Sequence, residues 1–404
     1  MKDLLWIGCL ESNEEFINKS KKGYSLASAQ VSQVNLIRGI EDIYSDVFDS
    51  INGSVLPPYP TYTDKIVLPF QWSHKAGAYN ISVGYKNIKY INRLLCKRSM
   101  IKEARKWVAE RYRRGEVTVF VYSMRSSVMA TACVIKKIIP SAKLYLFITD
   151  LPQFMDLGQD KVKAILKKID WFQIKLLQKR FDGYILYSAK MAEFLRIPDG
   201  KWMLMEGVWN ADDLPVPEIK KTRKRVLMYS GMIERKYGLD LLIKAFKEID
   251  DPNLELWITG GGNDVEYLIE AATKDPRIIF YGFLPSRKDV LIKQSQATML
   301  INMRLPSEIA SAYCFPSKLL EYMASGVPVL TFRLEGIPEE YFEHLLVFEE
   351  ESICGIVKTI KYGLELDDID RKTLGERAKE FVIGQKNYLL QAQRIKSWIE
   401  DRGI

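Results

Sequence analysis

Short, unbroken apolar runs alternate along this chain with stretches of helical periodicity. The runs Leu4 to Gly8, Ile66 to Phe70, Val117 to Tyr122, Leu144 to Ile148, Tyr184 to Tyr187 and Trp202 to Met205 read as strands. After a proline-containing, charged stretch from Pro215 to Arg225, the pattern restarts with Val226 to Ser230, Leu254 to Thr259, Ile278 to Tyr281, Ala297 to Ile301 and Val327 to Phe332. Strands apolar at consecutive positions are those covered on both faces, and their alternation with helices predicts parallel sheets. Two arrays joined by a linker predict an α/β chain of two doubly wound, Rossmann-like domains, 1–210 and 211–385. The segment 386–404 carries Leu389, Leu390, Ile395, Trp398 and Ile399 at helical spacing, which predicts a terminal helix packing back toward the first domain. Such sheets bind ligands beyond the carboxyl ends of their strands, so the expected site is a cleft where the two domains face each other.

Composition narrows the class. A 404-residue chain that is 47% hydrophobic and 27% charged is a folded protein with core enough for two domains. Cys9, Cys96, Cys133, Cys314 and Cys354 are scattered, without a Cys-x-x-Cys pair, which argues against a disulfide framework or a zinc site and for a reducing cytoplasm. The first residues read as a buried strand rather than a signal peptide, and no run approaches the ~20 apolar residues of a spanning helix.

The net charge of +8 is unevenly spread: Lys86 to Arg114 and Lys161 to Arg180 together carry +15, leaving −7 for the rest. No aromatic stacking motif, zinc finger or helix-turn-helix accompanies this basicity, so nucleic acid is not the expected partner. An anionic membrane surface or a diphosphate-bearing acceptor fits it better. Within the second basic segment, Val162, Ile165, Leu166, Ile169, Phe172, Leu176 and Leu177 form an apolar face ringed by lysines, including Lys163, Lys167 and Lys168. That face reads either as one that lies on an anionic bilayer or as a core face with solvated cations around it.

Candidate chemistry concentrates in Phe315 to Leu330, Phe-Pro-Ser-Lys-Leu-Leu-Glu-Tyr-Met-Ala-Ser-Gly-Val-Pro-Val-Leu. It predicts a helix that opens near Ser317 and Lys318, carries Glu321 and ends at Ser325-Gly326 before a short strand. Free N–H groups at a helix start attract phosphate, and a carboxylate one turn in can accept hydrogen bonds from ribose hydroxyls. Three turns precede it: Ser230-Gly231-Met232-Ile233-Glu234-Arg235-Lys236-Tyr237-Gly238, Gly260-Gly261-Gly262-Asn263 and Tyr281-Gly282-Phe283-Leu284-Pro285. Arg235 and Lys236 could neutralise a diphosphate or simply solvate a loop, and the glycines could admit a ligand or serve tight turns.

In this order the four blocks resemble the C-terminal domain of glycosyltransferase family 4, retaining sugar-nucleotide transferases of GT-B fold. The Glu-Arg-Lys-Tyr-Gly loop is similar to that of the subgroup in capsule and surface-polysaccharide synthesis. The resemblance implies a nucleotide-diphospho-sugar donor, no cofactor, no metal, and a glycan or lipid-diphosphate-linked acceptor. It implies that Glu321 binds ribose hydroxyls, that Ser317, Lys318 and Gly231 border the phosphates, and that Leu284 lies beside the base. Many members carry a second glutamate eight positions before the ribose-binding one; here that position is Tyr313, and the nearest upstream acid is Glu308. In the first half, Gly23 and Tyr24 stand where the family's glycine loop meets donor phosphate or acceptor.

Asp150, closing the run Leu146 to Ile148 before Pro152, reads as a carboxylate aimed at the acceptor or as a helix cap. The two histidines, His74 and His344, fall elsewhere; His74 reads as a surface residue or the border of an acceptor pocket. For retaining transfer the family resemblance implies that the leaving diphosphate deprotonates the incoming hydroxyl, with Arg235 and Lys236 stabilising its charge. A catalytically weak donor-binding or partner-activating subunit is the alternative that Tyr313 leaves open.

Overall fold

The computed structural model describes residues 2–22, 24, 26–54, 56–154, 161–210, 224–284 and 286–401. The chain divides into two units: one runs to Glu206 and takes in the residues from Tyr388, and the other is Gly207–Asn387. The described residues form sixteen strands, β1 to β16 in chain order.

In the first unit, β1 (Lys2–Gly8), β2 (Phe48–Asn52), β4 (Phe70–Trp72), β5 (Asn80–Ser82), β7 (Glu116–Tyr122), β8 (Lys143–Ile148), β9 (Gly183–Leu186) and β10 (Trp202–Leu204) form one sheet in the order β10-β9-β8-β7-β1-β2-β5-β4. All pairings are parallel except β4 against β5. Its core is aromatic: Trp6 meets Phe48, Tyr122 and Phe147 at 5.9, 5.9 and 5.5 Å between ring centroids. Two short strands, β3 (Ile66–Val67) and β6 (Tyr85–Lys86), pair antiparallel apart from it. The single strand expected over Ile66 to Phe70 is therefore a correction: Pro69, which has no N–H to give a ladder, separates two pieces that join different sheets.

β2 and β5 escape the apolar pattern for a different reason. They bury polar side chains that satisfy one another: Ser50 Oγ donates to Asn80 Oδ1 at 2.7 Å, and Asn52 Nδ2 donates to Ser50 Oγ at 2.8 Å. A buried polar group costs little once paired, so these strands need no apolar run.

The second unit holds β11 (Arg225–Met232), β12 (Leu254–Gly261), β13 (Ile278–Phe280), β14 (Met299–Asn302), β15 (Val329–Phe332) and β16 (Leu346–Phe348), all parallel, in the order β13-β12-β11-β14-β15-β16. In both sheets strand order reverses beside the first strand of the unit: between β7 and β1, and between β11 and β14. Such switch points are where parallel sheets open a ligand crevice at their carboxyl ends. Most of the expected linker, residues 211–223, lies outside the described residues.

The terminal helix, Tyr388–Glu400, packs on the helix Ala27–Tyr44, where a Cβ on Gly39 would lie 2.5 Å from the Tyr388 carbonyl oxygen. Its buried residues are Gln391, Ala392, Ile395 and Ile399, and Trp398 meets Tyr145 at 5.9 Å. Leu389 and Leu390, counted as core from their spacing, are exposed.

Candidate functional site

The second unit's switch point is built on glycine. Gly238 closes the loop after β11 at φ +90°, and a Cβ there would stand 2.3 Å from the carbonyl oxygen of Met303, just past β14. Gly260, at φ +139°, lies so close to Gly231 that a Cβ would meet the Gly231 carbonyl oxygen at 1.8 Å. These contacts are with backbone, which cannot swing aside, so glycine is a steric requirement at both positions. β11 runs on through Gly231 to Met232, so Ser230-Gly231 lies inside the strand rather than in the loop expected after it.

Into this frame the helix Ser317–Ala324 delivers Glu321, which is 8% exposed. Gln294 Nε2 donates to Glu321 Oε1 at 2.8 Å, Lys318 Nζ reaches the same oxygen at 3.2 Å, and Arg287 Nε reaches Oε2 at 3.3 Å. Burial pushes the Glu321 carboxyl upward, but Lys318, the Gln294 hydrogen bond and Arg287 together outweigh it and hold the pKa below its ordinary value. Gln294 Nε2 also donates to Ser230 Oγ at 3.1 Å. The Ser230 N–H in turn donates to the Tyr322 hydroxyl oxygen at 2.8 Å. A buried, ionised acceptor is thus tied to β11 and ringed by donors. Ser317 is the first residue of the helix, after Pro316, and no side chain caps the free N–H groups there.

The remaining candidates are placed as follows. Arg235 pairs with Asp264, its backbone N–H donating at 2.8 Å and its Nε at 3.3 Å; Lys236 pairs with Glu234 at 2.8 Å. Arg235 thus balances an acid of the loop after β12, and Lys236 one of its own loop. Leu284 is half-buried after the Gly282 turn, whose carbonyl oxygen accepts from Thr259 Oγ1 at 2.7 Å. Tyr313 closes the short 3-10 helix Ile309–Tyr313.

In the first unit, Asp150 is exposed in a bend two residues past β8. Tyr24 packs edge-on against Tyr62 at 6.5 Å between centroids, while Gly23 lies outside the described residues. His74 is bonded on both ring nitrogens, to Glu41 at 2.9 Å and Asn80 at 2.8 Å. His344 stacks on Phe381, its pKa lowered by burial and Arg377. Gln294, Arg287, Ser230 and Tyr322 were not singled out from the sequence.

Residues 211–381 match the family model described as glycosyl transferases group 1. The lipopolysaccharide 1,2-N-acetylglucosaminetransferase of Salmonella typhimurium is 26% identical over 195 residues, 43% of this chain and 49% of that protein. The chain thus spans about half the length of this curated relative. The lipopolysaccharide outer core galactosyltransferase WaaB in its apo form superposes with a TM-score of 0.64 at 13% identity, covering 100% of both chains. Anabaena Alr3699/HepE in complex with UDP gives 0.65 at 11% identity, covering 99% of this chain and 100% of that one. At such identities the likeness is one of fold: the chain has a GT-B fold, and its residues 211–381 are similar to the glycosyl transferases group 1 model.

Proposed function

We propose that the chain is a retaining glycosyltransferase that moves a sugar from a nucleotide-diphospho-sugar to a glycan or lipid-diphosphate-linked acceptor, in synthesis of a bacterial-type surface polysaccharide. The observation that carries this reading is the buried, ionised Glu321 at the β11/β14 switch point, with the uncapped helix start at Ser317-Lys318 one turn away. In this reading Glu321 accepts hydrogen bonds from the donor ribose, the helix start and Lys318 meet the diphosphate beside Gly231, and Leu284 packs against the base. The family match and the relative's name, a lipopolysaccharide N-acetylglucosaminetransferase, support both the chemistry and the surface-glycan setting.

As the bond from the sugar's anomeric carbon to the diphosphate breaks, the diphosphate leaves with the electron pair. Its oxygen takes the proton of the incoming acceptor hydroxyl, which attacks on the same face. Charge therefore accumulates on the diphosphate, where Arg235 and Lys236 stabilise it once they exchange Asp264 and Glu234 for phosphate oxygens. Asp150 orients the acceptor hydroxyl, and no metal is needed. The catalytically weak subunit remains as a second reading, favoured by Tyr313 in place of an acid and by cations already paired with Asp264 and Glu234.

The helix Lys161–Gln178 supports a peripheral station on an anionic membrane. Among its described residues only Ile174 is buried, while Val162, Ile165, Leu166, Ile169, Phe172 and Leu176 are exposed. No helix of the described residues is long and apolar enough to cross a membrane.

A thermal-shift screen against nucleoside diphosphates and their sugar conjugates identifies the donor by stabilisation of the intact chain. The anomeric configuration of the product, read by proton coupling, then reports retention. The reading fails if no nucleotide sugar stabilises the chain, or if the product is inverted.

A further inference from the structure

The first sheet has a switch point of its own, between β7 and β1, and an arginine there has no role in the reading above. Arg125 follows β7 and opens the helix Ser126–Ile138. It is reached through Ser123, which holds φ +74°, a left-handed conformation that costs a non-glycine residue roughly 1 kcal/mol or more. Its Nε donates to Ser123 Oγ at 2.8 Å, but Nη2 is enclosed and without a hydrogen-bond partner among the described residues. No carboxylate among them pairs with it.

The polar groups at the carboxyl ends of β1 and β2 are, by contrast, satisfied. Gln33 Oε1 accepts from Trp6 Nε1 at 3.1 Å and from the Cys9 N–H at 3.0 Å. Asn52 Oδ1 accepts from the Leu10 N–H at 2.9 Å. The acids past β1 are engaged too: Glu11 binds Lys19 at 2.8 Å and Ser54 Oγ at 2.6 Å, and Glu15 binds Lys19 at 3.3 Å and Ser82 Oγ at 2.8 Å. The Cys9 thiol lies within hydrogen-bonding reach of the guanidinium, and Tyr24 and Cys96 lie within electrostatic reach. The residue as a whole keeps partial exposure, so a ligand can approach it.

A guanidinium cannot shed its proton, and a largely buried one left without a counter-charge is destabilising unless something else supplies it. Its position, at the carboxyl ends of parallel strands where their order reverses, is where such sheets take ligands. We propose that Arg125 is an anion-recognition residue of the first unit, binding a phosphate or carboxylate group of the ligand seated there, alongside Tyr24. The site does not depend on donor binding by the second unit.

Thermal unfolding of the intact chain tests this, with inorganic pyrophosphate or glucuronate added at constant ionic strength. Wild type is stabilised by one of them; pyrophosphate assigns phosphate and glucuronate assigns carboxylate. Arg125→Met loses that shift, yet without ligand its midpoint equals or exceeds wild type, because a buried unpaired charge has gone. Lys318→Ala, which weakens the second unit's own diphosphate loop, keeps the part of the shift that Arg125→Met loses, which separates the two sites. Should Arg125→Met fail to fold, Arg125→Lys, which retains charge without the planar fork, shows at least tenfold weaker anion binding. The proposal is overturned if neither anion stabilises wild type, if Arg125→Met keeps the shift, or if Arg125→Lys binds undiminished.

Discussion

Gln294 lies in the sequence Arg-Lys-Asp-Val-Leu-Ile-Lys-Gln-Ser-Gln, where a glutamine among charged residues reads as solvent-facing, yet it is fully buried. Nothing in the periodicity marks it, because its role comes from partners far off in sequence: Ser230 on β11 and Glu321 on the helix Ser317–Ala324. Glu321 itself was legible, since its helix start, spacing and following strand are local. Gln294→Leu tests the coupling. Loss of the donor leaves a buried carboxylate short of a hydrogen bond, which costs about 1–3 kcal/mol. Because the folded-state pKa of Glu321 is lowered, its stabilising contribution is present above the unfolded value of 4.5 and fades as pH falls through the folded value. The variant raises that folded pKa. Urea denaturation should therefore show a stability deficit that is larger at pH 7 than at the acid end, and a deficit independent of pH would contradict the coupling. Lys318 and Arg287 are over a third exposed, so solvent screens their share.

At the scale of elements, legibility followed apolarity. β8 and β11 were found near their true bounds because each is an unbroken apolar run, whereas β2 and β5, closed by Ser50, Asn52 and Asn80, were not. The helix Lys161–Gln178 shows where pattern is ambiguous: the same spacing serves a core face or a surface face, and only packing decides. Its exposed apolar residues fall within an arc of about 120°, flanked by Lys161, Lys168, Lys175 and Lys179. Lys163 and Lys167, grouped with Lys168 from sequence, turn toward the protein, Lys167 Nζ donating to the Gln153 carbonyl oxygen at 2.9 Å. Co-sedimentation with phosphatidylglycerol vesicles should accordingly fall about tenfold or more when Lys168, Lys175 and Lys179 are reversed to Glu, at ~1 kcal/mol per charge. Binding should weaken with salt and be lost in Ile169→Asp/Phe172→Asp. Unchanged binding in both variants would contradict a membrane role for this face.

Across the whole molecule, one arrangement occurs twice: a parallel sheet whose order reverses beside its first strand, with chemistry gathered at the carboxyl edge. The sequence pattern reached the two arrays, and the resemblance reached the second unit's candidate residues. It did not reach Arg125, because a single cation in Ser123-Met124-Arg125-Ser126-Ser127 carries no spacing signal. The central claim is that Glu321 reads the donor ribose, and calorimetric titration tests it most directly. The best-bound nucleoside diphosphate and its 2′,3′-dideoxy counterpart would each be titrated into wild type and Glu321→Gln. Hydrogen bonds to a charged group contribute about 1.5–3 kcal/mol, so wild type should prefer the ribose form by roughly 10- to 150-fold, and Glu321→Gln should lose most of that preference. An equal preference in both proteins would contradict the assignment of Glu321 to the ribose.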